Sequence, residues 1–81
     1  MPATYYLRGH IVRHGSGVAE DGSPTVTMTL RPQEGGGDRQ VVAAGRVAQL
    51  AATLLSPGGE LVVTGLLGTD GVLQAISVSE L

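Results

Sequence analysis

The sequence predicts an all-β protein, a five-stranded Greek-key barrel with one short helix between strands 3 and 4. Two observations predict this fold. Two β-type segments precede residue 39, and two more follow residue 60 and are joined through an Asp-Gly turn. Between these pairs, a third β-type segment leads directly into a stretch whose apolar residues have helical spacing. A single helix within an otherwise all-β order is typical of a small barrel.

Length and composition restrict the class of protein. The chain has 81 residues, so we expect one domain over residues 1–81, with a modest core and neither a linker nor a tail. The absence of Cys excludes disulfides, thiolate metal sites and cysteine nucleophiles. No leader pattern is present, and no apolar run approaches the roughly 20 residues that cross a bilayer. We therefore expect a cytoplasmic protein with no membrane partner and no cofactor.

The charges are distributed unevenly along the chain. The chain has five basic residues, all of them Arg, and seven acidic residues, which gives a net charge of −2. All five arginines lie within residues 1–46, where there are four acids, whereas residues 47–81 contain three acids and no Lys or Arg. The first part therefore carries +1 and the second −3, which permits a basic face on an acidic protein.

The first strand is predicted over residues 4–14, followed by a loop over residues 15–24 that is rich in Gly, Ser, Asp and Pro. Alternation directs one set of side chains of the strand towards the core and the other set outward. Gly9 in mid-strand predicts a bend or bulge, which would shift the register after it. The inward set is Leu7, Gly9 and Ile11, and the outward set is Tyr6, Arg8, His10, Val12 and His14.

The second strand, over residues 25–31, has the clearest alternation in the chain. Its threonines and Arg31 should face outward, and Val26, Met28 and Leu30 should face the core. Residues 32–38 contain three consecutive glycines and are expected to form a flexible loop before a third strand over residues 39–45.

The helix is predicted over residues 46–55, with an apolar stripe that closes one end of the barrel. Residues 56–59 end it, and strands over 60–67 and 72–79 then pair through a tight turn. In the fourth strand, Val62 and Leu66 should point away from the core. The helix stripe consists of Val47, Leu50, Ala51 and Leu54.

Four parts of the chain carry a recognisable pattern. They are V-V-A-A-G at Val41 to Gly45 leading into R-V-A-Q-L, the glycines Gly58 and Gly59 before E-L-V-V-T-G, the ending L-Q-A-I-S-V-S-E-L, and the early Y-L-R-G-H-I-V with G-S-P-T-V-T-M-T-L. In these segments the chain resembles the bacterial single-stranded-DNA-binding protein (SSB) family and its relative, the primosomal replication protein. The resemblance implies an oligonucleotide/oligosaccharide-binding (OB) fold and single-stranded DNA as the partner. It also implies a role in DNA replication, repair, or plasmid or phage maintenance. Like the primosomal protein, the chain is expected to be a tail-less homo-oligomer, with a dimer favoured.

The chain departs from the SSB pattern at its aromatic residues. In that family, aromatics commonly precede the Arg that opens strand 3 and the glycine that closes it, where this chain has Asp38 and Ala44. The long family loop between the last two strands is also reduced to a turn. Base stacking is therefore expected to depend on Tyr6, with Tyr5 in the core or at the barrel end, and affinity should be moderate to low.

An OB barrel binds a single strand through positive groups for phosphates and aromatic rings for bases. Arginine suits this task because its planar fork contacts a phosphate through two hydrogen bonds and also stacks on bases. Binding should accordingly depend on salt, although each arginine could also be a solvated strand residue. The candidate nucleic-acid-binding residues are Tyr6, Arg8, His10, Arg13, Arg31 and Arg39.

No catalytic pattern is present, so the protein is not expected to be an enzyme. His10 and His14 would lie roughly 13 Å apart at about 3.3 Å per strand residue, too far to share a metal. The phosphate-binding loop G-x-x-x-x-G-K-[ST] is excluded because the chain has no Lys. The alternative to DNA binding is an oligomeric OB protein that acts as a protein-interaction module with weak or no nucleic-acid binding.

Overall fold

The computed structural model describes residues 4–56 and 58–80 and contains five strands and one helix within them. The strands close into a barrel in the order β1-β2-β3-β5-β4, with the helix between β3 and β4 in sequence. The predicted architecture is thus confirmed. The elements are β1 (Thr4–Val18), β2 (Pro24–Pro32), β3 (Arg39–Ala44), α1 (Arg46–Leu54), β4 (Glu60–Leu67) and β5 (Leu73–Glu80).

Strand β1 belongs to both halves of the barrel. Its first part pairs antiparallel with β4, from Thr4 to His10, and its second part pairs antiparallel with β2, from Gly9 to Val18. Strands β2–β3 and β4–β5 are also antiparallel. The barrel closes through a short parallel seam, in which Val41 pairs with Leu73 and Val42 with Gln74.

The first strand is longer than the sequence predicts, so the loop prediction is wrong for residues 15–18. These residues continue the hairpin with β2, where Gly15 lies opposite Thr27 and Gly17 opposite Thr25. A Cβ at Gly15 or Gly17 would lie 3.4 or 3.3 Å from the facing threonine Oγ1. The glycines therefore leave room for threonine side chains, and their low strand propensity is overridden by pairing.

The bulge in β1 lies at Val12 and not at Gly9. The register with β2 shifts between Ile11 and Arg13, which leaves Val12 unpaired and 42% exposed. At Gly9, β1 and β2 instead lie so close together that a Cβ would collide with the backbone carbonyl of Arg31. After the bulge, Arg13 lies opposite Thr29 on the outside of the barrel.

The shift also changes the facing of His14. This residue lies opposite Met28, a core residue of β2, although His14 itself is exposed. The sequence left the facing of Arg13 and His14 open, since a bulge would shift the register, and the bulge turns His14 away from the outer face that His10 occupies. The reason is that one unpaired residue moves every later side chain to the other face.

The core follows the predicted alternation with one exception. Thr29 was expected to face solvent but is only 9% exposed, since it lies between Arg13 on β1 and Gln40 on β3. The fully buried set is apolar and comes from all five strands and the helix. It comprises Ile11, Val26, Met28, Leu30, Val41, Ala43, Ala48, Ala51, Leu61, Val63, Leu73 and Val78.

The helix begins at Arg46, as predicted, but ends at Leu54, because Leu55 is already extended. Ala48 and Ala51 form its buried centre, whereas Leu50 is 49% exposed. The prediction that Leu50 lies on the core stripe is wrong. Two small alanines at the contact let the helix pack closely on β2, β3 and β5, which rotates Leu50 towards solvent.

The last hairpin occupies nearly the predicted residues and contains a second bulge. Thr64 pairs with Ser77 and Gly65 with Ala75, so Ile76 is left over and 54% exposed. Val62 and Leu66 are half-buried and alternate with the buried residues of β4, as expected for outward-facing positions.

Candidate nucleic-acid interface

The outer face of β1, β2 and β3 is mostly polar. Arg13, Thr29 and Gln40 form one row across the three strands. The next row consists of Gly15, Thr27 and Val42. Hydroxyl, amide and guanidinium groups on one sheet face are donors that suit phosphate and sugar oxygens.

A shallow depression on this face, which we call the arginine groove, has a volume of about 290 Å³. Arg13 supplies its formal positive charge. No acid lines it among the residues that the structure describes. Its lining residues are Arg13, His14, Gly15, Thr27, Met28, Thr29 and Gln40.

Arg31 lies at the end of the same face but its charge is already engaged. Its Nε lies 3.1 Å from Asp38 Oδ1, and its Nη2 lies 3.5 Å from Asp38 Oδ2. Hydrogen bonding to this carboxylate, followed by its negative charge, raises the pKa of Arg31 above the ordinary value. Asp38 therefore competes with any phosphate for this guanidinium.

Arg8 and His10 lie on the outer face of β1 beside β4. Arg8 is exposed and faces Val62, which leaves its guanidinium next to an apolar neighbour. His10 is half-buried between Arg31 on β2 and Glu60 on β4. The carboxylate of Glu60 makes this part of the surface less favourable for an anion than the arginine groove.

A second depression, which we call the tyrosine groove, lies at the end of the barrel and has a volume of about 250 Å³. Tyr5 and Tyr6 are 46% and 67% exposed and both line it. The loop between β2 and β3 forms another side, and the ends of β4 and β5 contribute one leucine each. The lining residues are Tyr5, Tyr6, Leu7, Pro32, Glu34, Gly35, Gly36, Gly37, Arg39, Leu67 and Leu73.

The six predicted site residues thus occupy three neighbouring regions. Tyr6 and Arg39 are brought together in the tyrosine groove, and Arg13 lies in the arginine groove. Arg8, His10 and Arg31 lie along the outer face of β1 and the end of β2. The sequence analysis placed Tyr5 in the core or at the barrel end and left it out of the site, although it is one of only two aromatic residues in the chain.

Two further observations concern the described part of the chain, residues 4–56 and 58–80. Within it, no three His, Asp or Glu side chains gather in a way that could hold a metal ion. Its single helix of 9 residues is too short to cross a membrane.

Comparison with known proteins rests on structure, because no family model and no curated protein matches the chain. The SSB domain of a Synechococcus sp. protein matches with a TM-score of 0.83 and 23% identity, over 99% of this chain and 96% of that one. The small single-stranded DNA-binding protein of Streptomyces coelicolor matches with a TM-score of 0.84 and 19% identity, over 99% and 93%. The protein priB of Ralstonia solanacearum matches with a TM-score of 0.81 and 17% identity, over 96% and 97%. The chain has the SSB-type OB fold.

Within this SSB-type OB fold, the two positions at which stacking aromatics were expected have different roles. Asp38 forms the ion pair with Arg31 at the entry to β3. Ala44 is exposed and pairs with Thr25 at the end of β3. Neither offers an aromatic face, so the rings available for stacking are those of the tyrosine groove, which lies beside the start of β3, with Gly37 and Arg39 in its lining.

Proposed function

We propose that the protein binds single-stranded DNA across the outer face of β1–β3. The observation that carries the proposal is the arginine groove, where Arg13, Thr27 and Thr29 line a depression that no described acid borders, on a barrel of the SSB type. We place its activity in the cytoplasm, in DNA replication, repair, or plasmid or phage maintenance. Affinity is moderate to low because few aromatic groups are available for stacking.

Arg13 is the main phosphate contact in this proposal. Among the described residues it has no ion-pair partner, whereas Arg31 is bound to Asp38. Its guanidinium provides five donors in a fixed plane, which match the oxygens of a phosphate. Arg8, on β1 beside β4, and Arg39, in the tyrosine groove, supply further positive charge, while Arg31 contributes little until Asp38 releases it.

Titration of labelled oligothymidylate at several salt concentrations tests the proposal. Each arginine–phosphate contact on a single strand contributes a slope of about −0.7 in log K against log [salt]. We expect Arg13→Ala to reduce the slope by about one contact. Arg46→Ala, on α1 and outside both grooves, is the matched control and should leave the slope unchanged. Absence of binding at low salt would refute the proposal.

Self-association is a second proposal, favoured by apolar side chains on the outside of β4 and β5. Val62 and Leu66 lie on the outer face of β4, and Ile76 protrudes from the bulge of the neighbouring strand. Apolar side chains that neighbour each other on a surface mark an interface. We propose a homodimer as the functional form, and a protein-interaction module is the function that remains if DNA binding fails.

A further inference from the structure

The tyrosine groove combines chemical groups that the arginine groove lacks. Tyr5 and Tyr6 are the only aromatic residues of the chain, since it contains no Trp or Phe. Both rings are accessible, and they stand beside the apolar groups of Leu7, Pro32 and Leu67. Flat rings next to an apolar surface bind a nucleobase by stacking, worth roughly 1–3 kcal/mol per base.

The loop over residues 34–37 gives access to this surface. Gly35 and Gly36 have φ values of 91° and 89°, a region in which other side chains are strained. A Cβ at either position would meet no atom of the described residues within 4 Å, so this side of the groove is not closed by them. A base can therefore approach the tyrosines directly past the loop backbone.

One cation and one anion lie in the groove, at different elements. Arg39 opens β3, and Glu34 lies in the loop before it. Neither takes part in a side-chain hydrogen bond or ion pair with the other described residues. Arg39 can hold the phosphate of a bound nucleotide, while the carboxylate of Glu34 can only accept hydrogen bonds.

The carboxylate of Glu34 is a hydrogen-bond acceptor and therefore discriminates between the bases. Cytosine and adenine carry an exocyclic amino group that donates to a carboxylate, and guanine also carries one. Thymine has only its N3–H to donate on this edge, and the two carbonyl oxygens that flank this donor repel a carboxylate. A groove with Glu34 beside two tyrosines therefore favours bases with an amino group.

We propose that the tyrosine groove binds one unstacked nucleobase with an exocyclic amino group, which stacks on Tyr5 or Tyr6 and donates to Glu34. The inference rests on the proposed single-stranded DNA binding and assigns its base preference. The groove would then select the base, whereas the rest of the proposed surface contacts only the sugar–phosphate backbone of the DNA.

Two readouts test the proposal in one titration of oligodeoxycytidylate and oligothymidylate of equal length, at mildly alkaline pH. Fluorescence anisotropy of a labelled oligonucleotide reports total binding. Intrinsic fluorescence reports occupancy of the groove, because both tyrosines lie in it. We expect the cytidylate to bind about fivefold to tenfold more tightly than the thymidylate, and to change the tyrosine emission.

Variants assign the preference to individual side chains. Glu34→Gln should abolish the difference between the two oligonucleotides, and Tyr6→Ala should weaken binding of both with little change in salt slope. Tyr6→Phe retains a stacking face and should bind like the parent, with Tyr5 as the remaining reporter. Circular dichroism and thermal unfolding establish that each variant is folded.

The possible failures are distinguishable. Equal affinities for the two oligonucleotides, or binding that leaves tyrosine emission unchanged, would overturn the assignment of the groove while the proposed function stands. Loss of the anisotropy signal for both oligonucleotides at low salt would instead remove the proposed function. A cytidylate preference that persists in Glu34→Gln would refute the role of Glu34.

Discussion

The ion pair between Arg31 and Asp38 is the residue-scale feature that most affects the proposed interface. Both groups are exposed, so water and salt screen their attraction and the pair adds little to stability. Its consequence is electrostatic competition. The carboxylate occupies the guanidinium that would otherwise extend the positive path from Arg13.

We predict that Asp38→Asn strengthens binding to oligothymidylate by about twofold to fivefold at low salt. The change removes a negative charge and releases Arg31, so the salt slope should steepen by about one contact. Anisotropy titration measures both quantities. Glu20→Gln removes the same charge from the turn after β1 and should have no effect, and equal gains in both variants would contradict the local explanation.

Sequence patterns predicted which face of a strand most residues occupy, but they did not predict which side chains lie together. Alternation correctly placed Leu7, Ile11 and the apolar side chains of β2 in the core. The sequence analysis placed Tyr6 on the outer face and Tyr5 in the core or at the barrel end. In the structure both border one groove at the barrel end, where β1 meets the β2–β3 loop. The contact of Arg31 with Asp38 depends on the path of that loop, which three glycines leave undetermined in sequence.

At the scale of elements, α1 depends on packing and receives little stabilisation from its ends. Gly45 at the N-cap has no side chain to accept a hydrogen bond, and the first turn contains no acid. Arg46 instead places a positive charge at the positive end of the helix dipole. Burial of Ala48 and Ala51 therefore holds the helix on the barrel.

We predict that Arg46→Glu stabilises the protein by about 0.5–1 kcal/mol, because it replaces an unfavourable charge at the helix N-terminus with a favourable one. Thermal or urea unfolding at low ionic strength measures the change. Arg46→Gln, which only removes the charge, should give about half the effect, and high salt should reduce both. An equal gain at high and low salt would indicate a cause other than the dipole.

Element types were predictable from periodicity and turn residues, whereas strand ends and bulges were not. Taken by themselves, Gly15 and Gly17 are typical loop residues. In β1 they pair with threonines whose side chains occupy the space that a Cβ at the glycines would reduce. The bulges at Val12 and Ile76 depend on how far neighbouring strands slide past each other. This offset between strands is set by closure of the whole barrel, so the sequence of a single strand does not indicate it.

At the scale of the whole molecule, the barrel has a polar outer face on β1–β3 and a more apolar one on β4–β5. A domain of this size buries a limited fraction of its surface, so the proposed association through the apolar side would add to its stability. The two faces also separate the proposed functions. DNA is assigned to the first and a second copy to the other.

We predict that the protein sediments as a dimer at micromolar concentrations and that Val62→Lys shifts it towards monomer. A charge at this half-buried outer position would be desolvated in the interface without disturbing the core. Leu50→Lys, on the exposed side of α1, is the matched control and should leave the sedimentation unchanged. A parent protein that remains monomeric at high micromolar concentration would contradict the dimer.

The parallel seam between β3 and β5 has a consequence for solubility. Only two residue pairs join these strands, so the remainder of β5 has no strand partner on that side within the described residues. Unpaired backbone at a strand edge is a template on which another chain can add a strand and start aggregation. Helix α1 packs against β5 as well as β2 and β3, and it thereby shields an edge that the barrel itself does not seal.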